Sequence, residues 1–155
     1  MRGTTSNMNQ HTQYNDVTAE VIHALSEKVN ILALMGVCDV IIDPGFGFAK
    51  NVEQNYELLA GLSELSDLGV PVLAGLSRKS MIYRPLGVTP AEALNGTTAL
   101  NWEALRQGAT ILRVHDVREA VEVVSSKQID FLGIVIDESL DQIRINELER
   151  HRLCV

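Results

Sequence analysis

Residues 43–50 form the first of three short segments that concentrate side chains suited to ligand chemistry, with the sequence Asp-Pro-Gly-Phe-Gly-Phe-Ala-Lys. Asp43 ends an apolar run, and a carboxylate in such surroundings needs a hydrogen-bonding partner. The ring N–H and amino groups of a ligand would supply one, whereas the structural alternative is a helix cap or an ion pair with Lys50. The two glycines allow the backbone to approach a ligand closely. Phe46 and Phe48 offer flat apolar surface, unless one of them fills the core.

The second segment, Ser77-Arg78-Lys79-Ser80, lies between a predicted strand and the start of a short predicted helix. Backbone N–H groups at a helix start, together with a serine hydroxyl, can hold a carboxylate or a phosphate. Lys79 can donate hydrogen bonds to acceptors such as a ring nitrogen or a carbonyl oxygen. The structural alternative is that Ser77 or Ser80 is an ordinary N-cap, and the two roles are compatible.

The third segment is Arg113-Val114-His115-Asp116. Alternation along a strand places Ile111, Arg113 and His115 on one face, so both cationic side chains point to the mouth of the fold if Ile111 faces the interior. Arginine is the bidentate donor for phosphate groups, and histidine ordinarily changes its charge near neutral pH. Asp116 either caps the following helix or orients His115. This segment therefore predicts an anion site.

The chain is acidic, with 13 Lys and Arg residues against 20 Asp and Glu residues and a formal net charge of −7. This balance argues against a nucleic-acid partner, because binding a polyanion depends on neutralising its phosphates. Basic residues at or just after the predicted strand ends instead indicate a small anionic ligand, although lysine and arginine also favour loops in general. These residues are Arg2, Lys50, Arg78, Lys79 and Arg113.

Several other classes of protein are disfavoured by the sequence. Cys38 and Cys154 lack a surrounding Cys/His cluster and suggest neither a disulfide framework nor a zinc site. No apolar run approaches the roughly 18 residues of a membrane span, and no leader-like segment begins the chain, so a cytoplasmic protein without a membrane partner is predicted. No nucleophile–base pair, P-loop or HExxH motif is present. The site is expected to bind and orient a flat heterocycle and an anion.

The segments that position these side chains alternate between short β-branched stretches and helices. Such alternation indicates parallel βα units, whose right-handed crossovers put the carboxyl ends of all strands on one side. An open doubly wound sheet and part of a (β/α)8 TIM barrel both fit, whereas a complete barrel needs about 250 residues. Residues 39–43 are expected to be buried on both faces. The predicted strands are 39–43, 70–74 and 109–114, and the predicted helices are 16–36, 51–69, 90–107 with an interruption at Asn95-Gly96, and 116–124.

Capping residues mark where three of these helices begin, and four leucines of the second helix, Leu58, Leu59, Leu62 and Leu65, are expected to face the core. The caps are Asn15 or Asp16, the pair Asn51 and Gln54, and the pair Thr89 and Glu92. Residues 125–155 break the alternating pattern. They are interpreted as a divergent tail with a structural or interaction role, in which 127–137 could form a strand and 139–152 a charged helix.

Four motifs occur in the order and spacing that characterise dihydropteroate synthase. They are Asp43–Lys50, the stretch Gly75-Leu-Ser-Arg-Lys-Ser-Met81, Asn95-Gly-Thr-Thr98, and Arg113–Val117. The opening Met1-Arg-Gly-Thr4 also resembles a loop of that family. The resemblance covers about residues 1–124 and corresponds to the C-terminal half of the family's TIM barrel, about strands six to eight.

This resemblance implies an activity and a set of roles. The family condenses 6-hydroxymethyl-7,8-dihydropterin pyrophosphate with p-aminobenzoate, giving 7,8-dihydropteroate and pyrophosphate, and sulfonamides compete with p-aminobenzoate. The resemblance also implies small-molecule substrates, a homodimer and a Mg²⁺ ion. The protein ligand of this ion is expected in the half of the barrel that this chain lacks. The roles carried over are pterin binding by Asp43 and Lys79, pyrophosphate binding by Arg113 and His115, and p-aminobenzoate binding by Phe48 and Ser80.

Two other readings stay open. A pterin-binding barrel of the methyltetrahydrofolate methyltransferase type would share the carboxylate, but it gives no reason for the two anion-binding segments. A half barrel could instead act by assembly without catalysis, because it would expose two open sheet edges. The missing strands also lead to the expectation that the chain is catalytically weak or inactive alone.

Overall fold

The computed structural model describes residues 13–126 and the backbone of two further segments, 134–137 and 142–145. Within these ranges no helix is both long and apolar enough to cross a membrane. The predictions about Arg2 and Met1–Thr4 lie outside the described residues.

The α-helices are α1 (Val17–Leu34), α2 (Val52–Ala60), α3 (Ser80–Leu86), α4 (Leu94–Arg106) and α5 (Val117–Ser126), with 3-10 helices at Leu62–Leu68 and Pro90–Glu92. The strands are β1 (Leu73–Ala74), β2 (Ile111–Val114), β3 (Ile134–Asp137) and β4 (Gln142–Ile145).

The predicted capping residues begin the helices as expected. The Asp16 carboxylate accepts a hydrogen bond from the Ala19 N–H at 2.9 Å and caps α1. Reciprocal capping boxes join Asn51 to Gln54 and Thr89 to Glu92. Each box satisfies backbone N–H groups that have no partner within the helix.

Two helix predictions need correction. The predicted helix 51–69 is divided, because α2 ends before Gly61, and a Cβ at Gly61 would lie 2.7 Å from the Thr18 side chain of α1. Conversely, α4 continues through Asn95 and Gly96 without interruption. A Cβ at Gly96 would lie 2.5 Å from the Ile82 side chain. Close packing of α3 on α4, rather than a helix break, therefore accounts for this glycine.

The strands form one sheet in the order β1–β2–β3–β4, with β1, β2 and β3 parallel and β4 antiparallel to β3. The predicted strand 39–43 lies beside the start of β1, through a single parallel bridge between Ile42 and Val72, the residue before β1. Its expected burial on both faces is wrong, since Ile42 is 3% exposed but Ile41 is 56% exposed. The helices cover only the face that carries Ile42.

The tail contributes backbone to this sheet. A strand within 127–137 is confirmed by β3, which pairs with β2 in the register Val114 to Asp137. The predicted helix 139–152 is wrong at Gln142–Ile145, where β4 pairs with β3. The edge of β2 that a half barrel would expose is consequently paired with β3, and β4 becomes the outermost strand on that side of the described sheet. The remainder of 127–155 lies outside the described residues.

The apolar core lies between the sheet and the helices. It contains the four leucines that were expected to face inward, together with residues of α3, α4 and β2 such as Met81, Leu105 and Leu112. Because the three sequential strands are parallel, the loops after Ile42, β1 and β2 leave the sheet at the same end. These loops contain the three segments identified from the sequence.

Candidate functional site

The loop 43–50 is held by three sets of hydrogen bonds. The Asp43 carboxylate accepts from the Gly45 N–H at 2.7 Å, and the Asn55 side-chain oxygen accepts from the Gly47 N–H at 2.7 Å. The Lys50 ammonium donates to the carbonyls of Pro44, Gly45 and Phe48 at 3.0–3.3 Å. Gly45 and Gly47 have φ angles of 75° and 77°, which only glycine adopts without strain. Lys50 therefore supports the loop from within.

The two phenylalanines of this loop have different environments. Phe46 is completely buried in the apolar core, whereas the Phe48 ring is only partly buried. The alternative that one aromatic side chain fills the core applies to Phe46. Phe48 remains the ring that a ligand can reach.

Arg78, in the second segment, is committed to the fold. Its guanidinium donates to both Asp116 carboxylate oxygens, at 3.0 and 2.6 Å, and to the carbonyls of Pro90 and Ala91 at 3.1 and 2.8 Å. These hydrogen bonds to Asp116 raise the pKa of Arg78 above its ordinary value. The prediction that Arg78 belongs to the anion-binding group is therefore corrected. Asp116 was expected to cap a helix or to orient His115, and its carboxylate instead accepts from Arg78.

The serines of the second segment are not N-caps. Lys79 is the N-cap residue of α3 and makes no side-chain capping bond, while Ser80 is the first helical residue. The hydroxyl oxygen of Ser77, which is buried, accepts from the His115 N–H at 3.2 Å. Ser77 thereby ties the loop after β1 to the loop after β2.

Arg113 and Asp43 meet across the strand ends. An Arg113 guanidinium nitrogen lies 3.2 Å from an Asp43 carboxylate oxygen, and the two side chains are 31% and 32% exposed. The partner of Asp43 is thus Arg113 rather than Lys50. A Cβ at Gly75 would lie 2.7 Å from the Arg113 guanidinium, so this glycine leaves the space that Arg113 occupies. Ile111 is buried, as the predicted orientation of this strand face requires.

Lys79 and Phe48 form the second contact between loops. The Lys79 ammonium lies 4.6 Å from the centroid of the Phe48 ring, a cation–π distance. It also donates to the Phe46 carbonyl. A Cβ at Gly47 would lie 3.0 Å from the Lys79 side chain, so the lysine passes directly over that glycine. Four of the six predicted site residues, Asp43, Phe48, Lys79 and Arg113, are brought together in this way.

His115 and Ser80 lie on the same two loops. His115 directly follows β2 and its side chain is exposed, whereas Ser80 is partly buried at the start of α3. Their assignments to pyrophosphate and to p-aminobenzoate stay predictions. A cavity of about 140 Å³ lies beside this group, between α1 and the loop 43–50, and Asp43 and Phe48 line it together with Tyr14, Leu25 and Lys28.

Within the described segment 13–126, no group of three or more His, Cys, Asp or Glu side chains could hold a metal ion. Asp43 is paired at 3.2 Å with Arg113, a residue of the predicted anion site. These residues do not by themselves compose a Mg²⁺ site.

Some residues that shape the site were not predicted. Asn55 is 2% exposed and fixes Gly47, and the buried Thr97 hydroxyl accepts from the Arg78 N–H at 3.1 Å. A polar residue within the apolar face of α2 was the available signal for Asn55. Arg78 itself has a φ of 53°, and left-handed backbone costs a non-glycine residue about 1–3 kcal/mol. Its hydrogen bonds offset that cost.

Residues 1–115 match the family of pterin binding enzymes, and the chain belongs to that family. The chain is 44% identical over 126 residues to the dihydropteroate synthase of Escherichia coli K12, a match that covers 80% of this chain and 45% of that enzyme. The predicted resemblance to dihydropteroate synthases is therefore confirmed.

Two solved structures extend the comparison. The dihydropteroate synthase of Yersinia pestis in complex with a sulfonamide drug superposes with a TM-score of 0.78 at 39% identity, covering 81% of this chain and 47% of that one. The enzyme of Thermus thermophilus in complex with 4-aminobenzoate superposes with a TM-score of 0.76 at 42% identity, covering 79% and 51%. The partial barrel is thus confirmed, and the chain spans about half the length of these relatives.

Proposed function

We propose that this chain supplies part of the site at which a dihydropteroate synthase joins a dihydropterin to p-aminobenzoate. The bond between the pterin methylene carbon and the pyrophosphate oxygen breaks. A bond forms from that carbon to the amine nitrogen of p-aminobenzoate, which loses a proton. The observation that carries the proposal is the meeting of Asp43 with Arg113 and of Lys79 with Phe48 at one end of the parallel strands.

Asp43 and Lys79 have complementary roles toward the pterin ring. The Asp43 carboxylate accepts hydrogen bonds from ring N–H and amino groups, and Lys79 donates to ring acceptors. Both side chains project from loops that other residues hold in place, since Lys50 supports one loop and Arg78 the other. The ring is thereby oriented by side chains that need little reorganisation on binding.

Arg113 and His115 bind the pyrophosphate. Arg113 already faces a carboxylate at 3.2 Å, and phosphate oxygens can accept two parallel hydrogen bonds from its guanidinium and carry a larger negative charge. Negative charge grows on the departing pyrophosphate in the transition state, so donors aimed at it lower the barrier. Arg113 and His115 therefore promote departure of the leaving group as well as binding it.

Phe48 and Ser80 receive p-aminobenzoate. The partly buried Phe48 ring packs against the aromatic ring of the substrate, and the Ser80 hydroxyl donates to its carboxylate. The complex of the Thermus thermophilus relative with 4-aminobenzoate supports this class of substrate.

Mg²⁺, when bound with residues outside those described, would neutralise pyrophosphate charge. The resemblance also favours a homodimer that works in the cytoplasm.

Titration of the 155-residue chain with 6-hydroxymethyl-7,8-dihydropterin pyrophosphate tests the assignment. Arg113→Gln should weaken binding at least tenfold, because the anion loses its bidentate donor. Arg106→Gln, which removes an exposed arginine paired with Glu103 on α4, is the matched control and should bind as the wild type does. Equal dissociation constants for the three proteins would overturn the assignment of Arg113.

Pyrophosphate release measured with both substrates and Mg²⁺ tests the second part of the proposal. The chain alone should turn over slowly, because about half of the relatives' barrel is not represented in it. Turnover close to that of the Escherichia coli enzyme would contradict this expectation.

A further inference from the structure

Asn55 is a buried polar residue on the helix that follows the loop 43–50. It lies in α2, is 2% exposed and has no role in the proposed function. Its side-chain oxygen accepts from the Gly47 N–H at 2.7 Å, and its side-chain nitrogen donates to the Asn51 carbonyl. The N–H needs an acceptor and the carbonyl needs a donor, so these two partners fix the orientation of the Asn55 amide.

The Asn55 side chain holds one end of the peptide group that joins Phe46 to Gly47. The other end of this group, the Phe46 carbonyl, accepts from the Lys79 ammonium. The peptide group is planar and trans, so its N–H and its carbonyl point in opposite directions and cannot turn independently. A side chain that fixes the N–H therefore also fixes the direction in which the carbonyl faces Lys79.

Two further contacts place Lys79 against this part of the loop. A Cβ at Gly47 would lie 3.0 Å from Lys79 Cδ, so the lysine stem crosses directly above the glycine. Beyond the glycine, the ammonium lies 4.6 Å from the centroid of the Phe48 ring. Rotation of the peptide group between Phe46 and Gly47 would displace the carbonyl to which Lys79 donates and would turn the glycine against the lysine stem.

We infer that Asn55 is a positioning residue for Lys79. Because its side chain is buried beneath the loop, Asn55 acts through the peptide group between Phe46 and Gly47 rather than on a ligand. Hydrogen bonds on the two sides of one peptide group also polarise each other, which strengthens the carbonyl as an acceptor for Lys79. The consequence for the pterin ring rests on the proposed function, whereas the position of Lys79 does not.

The ε-methylene signal of Lys79 in a proton–carbon NMR spectrum of the 155-residue chain reports this position without substrate. Protons above an aromatic ring resonate upfield, and Phe48→Leu identifies the contribution of the ring. In Asn55→Ala the signal should move toward its position in Phe48→Leu. Asn101→Ala is the matched control and should leave the signal unchanged. Asn101 of α4 is also 2% exposed, and its side-chain oxygen has no hydrogen-bond partner among the described residues.

Asn55→Asp distinguishes the position of Lys79 from stability. Whether ionised or protonated, the carboxyl group keeps an acceptor for the Gly47 N–H. This variant should therefore keep the upfield signal, although burial of the carboxyl group lowers the free energy of unfolding. Titration with 6-hydroxymethyl-7,8-dihydropterin pyrophosphate should give a dissociation constant about tenfold weaker for Asn55→Ala, a smaller loss for Asn55→Asp and no loss for Asn101→Ala.

Three results from the variants would overturn the inference. They are an unchanged Lys79 signal in folded Asn55→Ala, an equal displacement in Asn101→Ala, and a displacement in Asn55→Asp as large as in Asn55→Ala. Rapid hydrogen exchange of the Gly47 amide in the wild type would also overturn it, and this measurement needs no variant to fold. A displaced signal with unchanged affinity for the pterin substrate would support the inference and contradict the pterin role of Lys79, so the two failures are distinguishable.

Discussion

Two arginine–aspartate pairs lie at the same end of the sheet but have different surroundings. Arg78 and Asp116 share two hydrogen bonds, and Arg78 makes two more to backbone carbonyls, whereas Arg113 contacts Asp43 at 3.2 Å. The Asp116 side chain is 14% exposed and that of Asp43 is 32% exposed. The first pair is built into the fold, and the second, more exposed pair is the one that the proposed function assigns to ligand binding.

This difference shows that the position of a cation at a strand end does not by itself define its role. Both arginines follow or end a strand, and both have a carboxylate partner. What distinguishes the Arg78 pair is its two backbone acceptors, the carbonyls of Pro90 and Ala91, and the lower exposure of its carboxylate. A pair surrounded by backbone acceptors loses more when it is broken, since those acceptors are left without a donor.

The largest expected effect is on stability. Arg78→Ala should lower the free energy of unfolding by about 2–3 kcal/mol, because Asp116 and two carbonyls lose their donor in a partly buried site. Arg113→Ala should lower it by less than about 1 kcal/mol, as expected for a more exposed pair. Urea denaturation of both variants measures the difference. Equal losses would contradict the distinction drawn between the two pairs.

The next largest effect concerns ligand binding, and it differs between Lys79 and Lys50. Lys79→Ala should weaken binding of the pterin substrate by about 1–3 kcal/mol, because a ring acceptor loses its donor. The loss should appear in the dissociation constant measured by titration, and stability should also fall because the Phe46 carbonyl loses a donor.

Lys50→Ala provides the contrast. Its ammonium donates to three loop carbonyls, so its removal should lower stability as well as binding. A Lys79→Ala variant that binds the pterin as tightly as the wild type would remove Lys79 from the site.

Gly75→Ala distinguishes the role of Arg113 in binding from the role of Arg78 in stability, without substituting either arginine. The added Cβ would lie 2.7 Å from the end of the Arg113 side chain, which can swing away from Asp43, and its three nearest atoms all belong to Arg113. Binding of the pterin pyrophosphate should weaken by about tenfold, or roughly 1.4 kcal/mol. The unfolding free energy should stay close to that of wild type. A large loss of stability with intact binding would show that Gly75 supports the fold rather than Arg113.

Local signals in the sequence predicted the parts of the molecule that depend on neighbouring residues. The caps at Asp16, Asn51 and Thr89 and the inward leucines of α2 follow from side chains a few positions apart. The grouping of Asp43 with Arg113 was also predictable, because parallel strands end on one side.

Features that depend on distant packing could not be predicted. Arg78 has the same sequence character as Lys79, and only the carbonyls of Pro90 and Ala91 and the Asp116 carboxylate commit it to the fold. Exposure of Ile41 depends on which neighbouring strands are present, which residues 39–43 do not encode. The strand at Gln142–Ile145 pairs with β3, so its charged local sequence was misleading.

The smallest effect is a pH dependence of the turn that holds Arg78. Thr89 donates to the Glu92 carboxylate through its N–H at 3.0 Å and its hydroxyl at 2.8 Å, and these hydrogen bonds lower the pKa of Glu92. A lowered pKa contributes stability above the ordinary glutamate value of about 4.3, and that contribution is lost as the pH falls through the lower folded value.

Glu92→Gln keeps an acceptor for the Thr89 N–H but does not titrate, so it isolates this contribution. Between pH of about 5 and 3 the melting temperature of the wild type should fall more than that of the variant, while the remaining carboxyl groups affect both alike.

Because Pro90 and Ala91 lie within this turn and accept from Arg78, combining Glu92→Gln with Arg78→Ala should give less than the sum of the separate effects. Parallel melting curves for the wild type and Glu92→Gln would show that the turn holds Arg78 whatever the charge of Glu92.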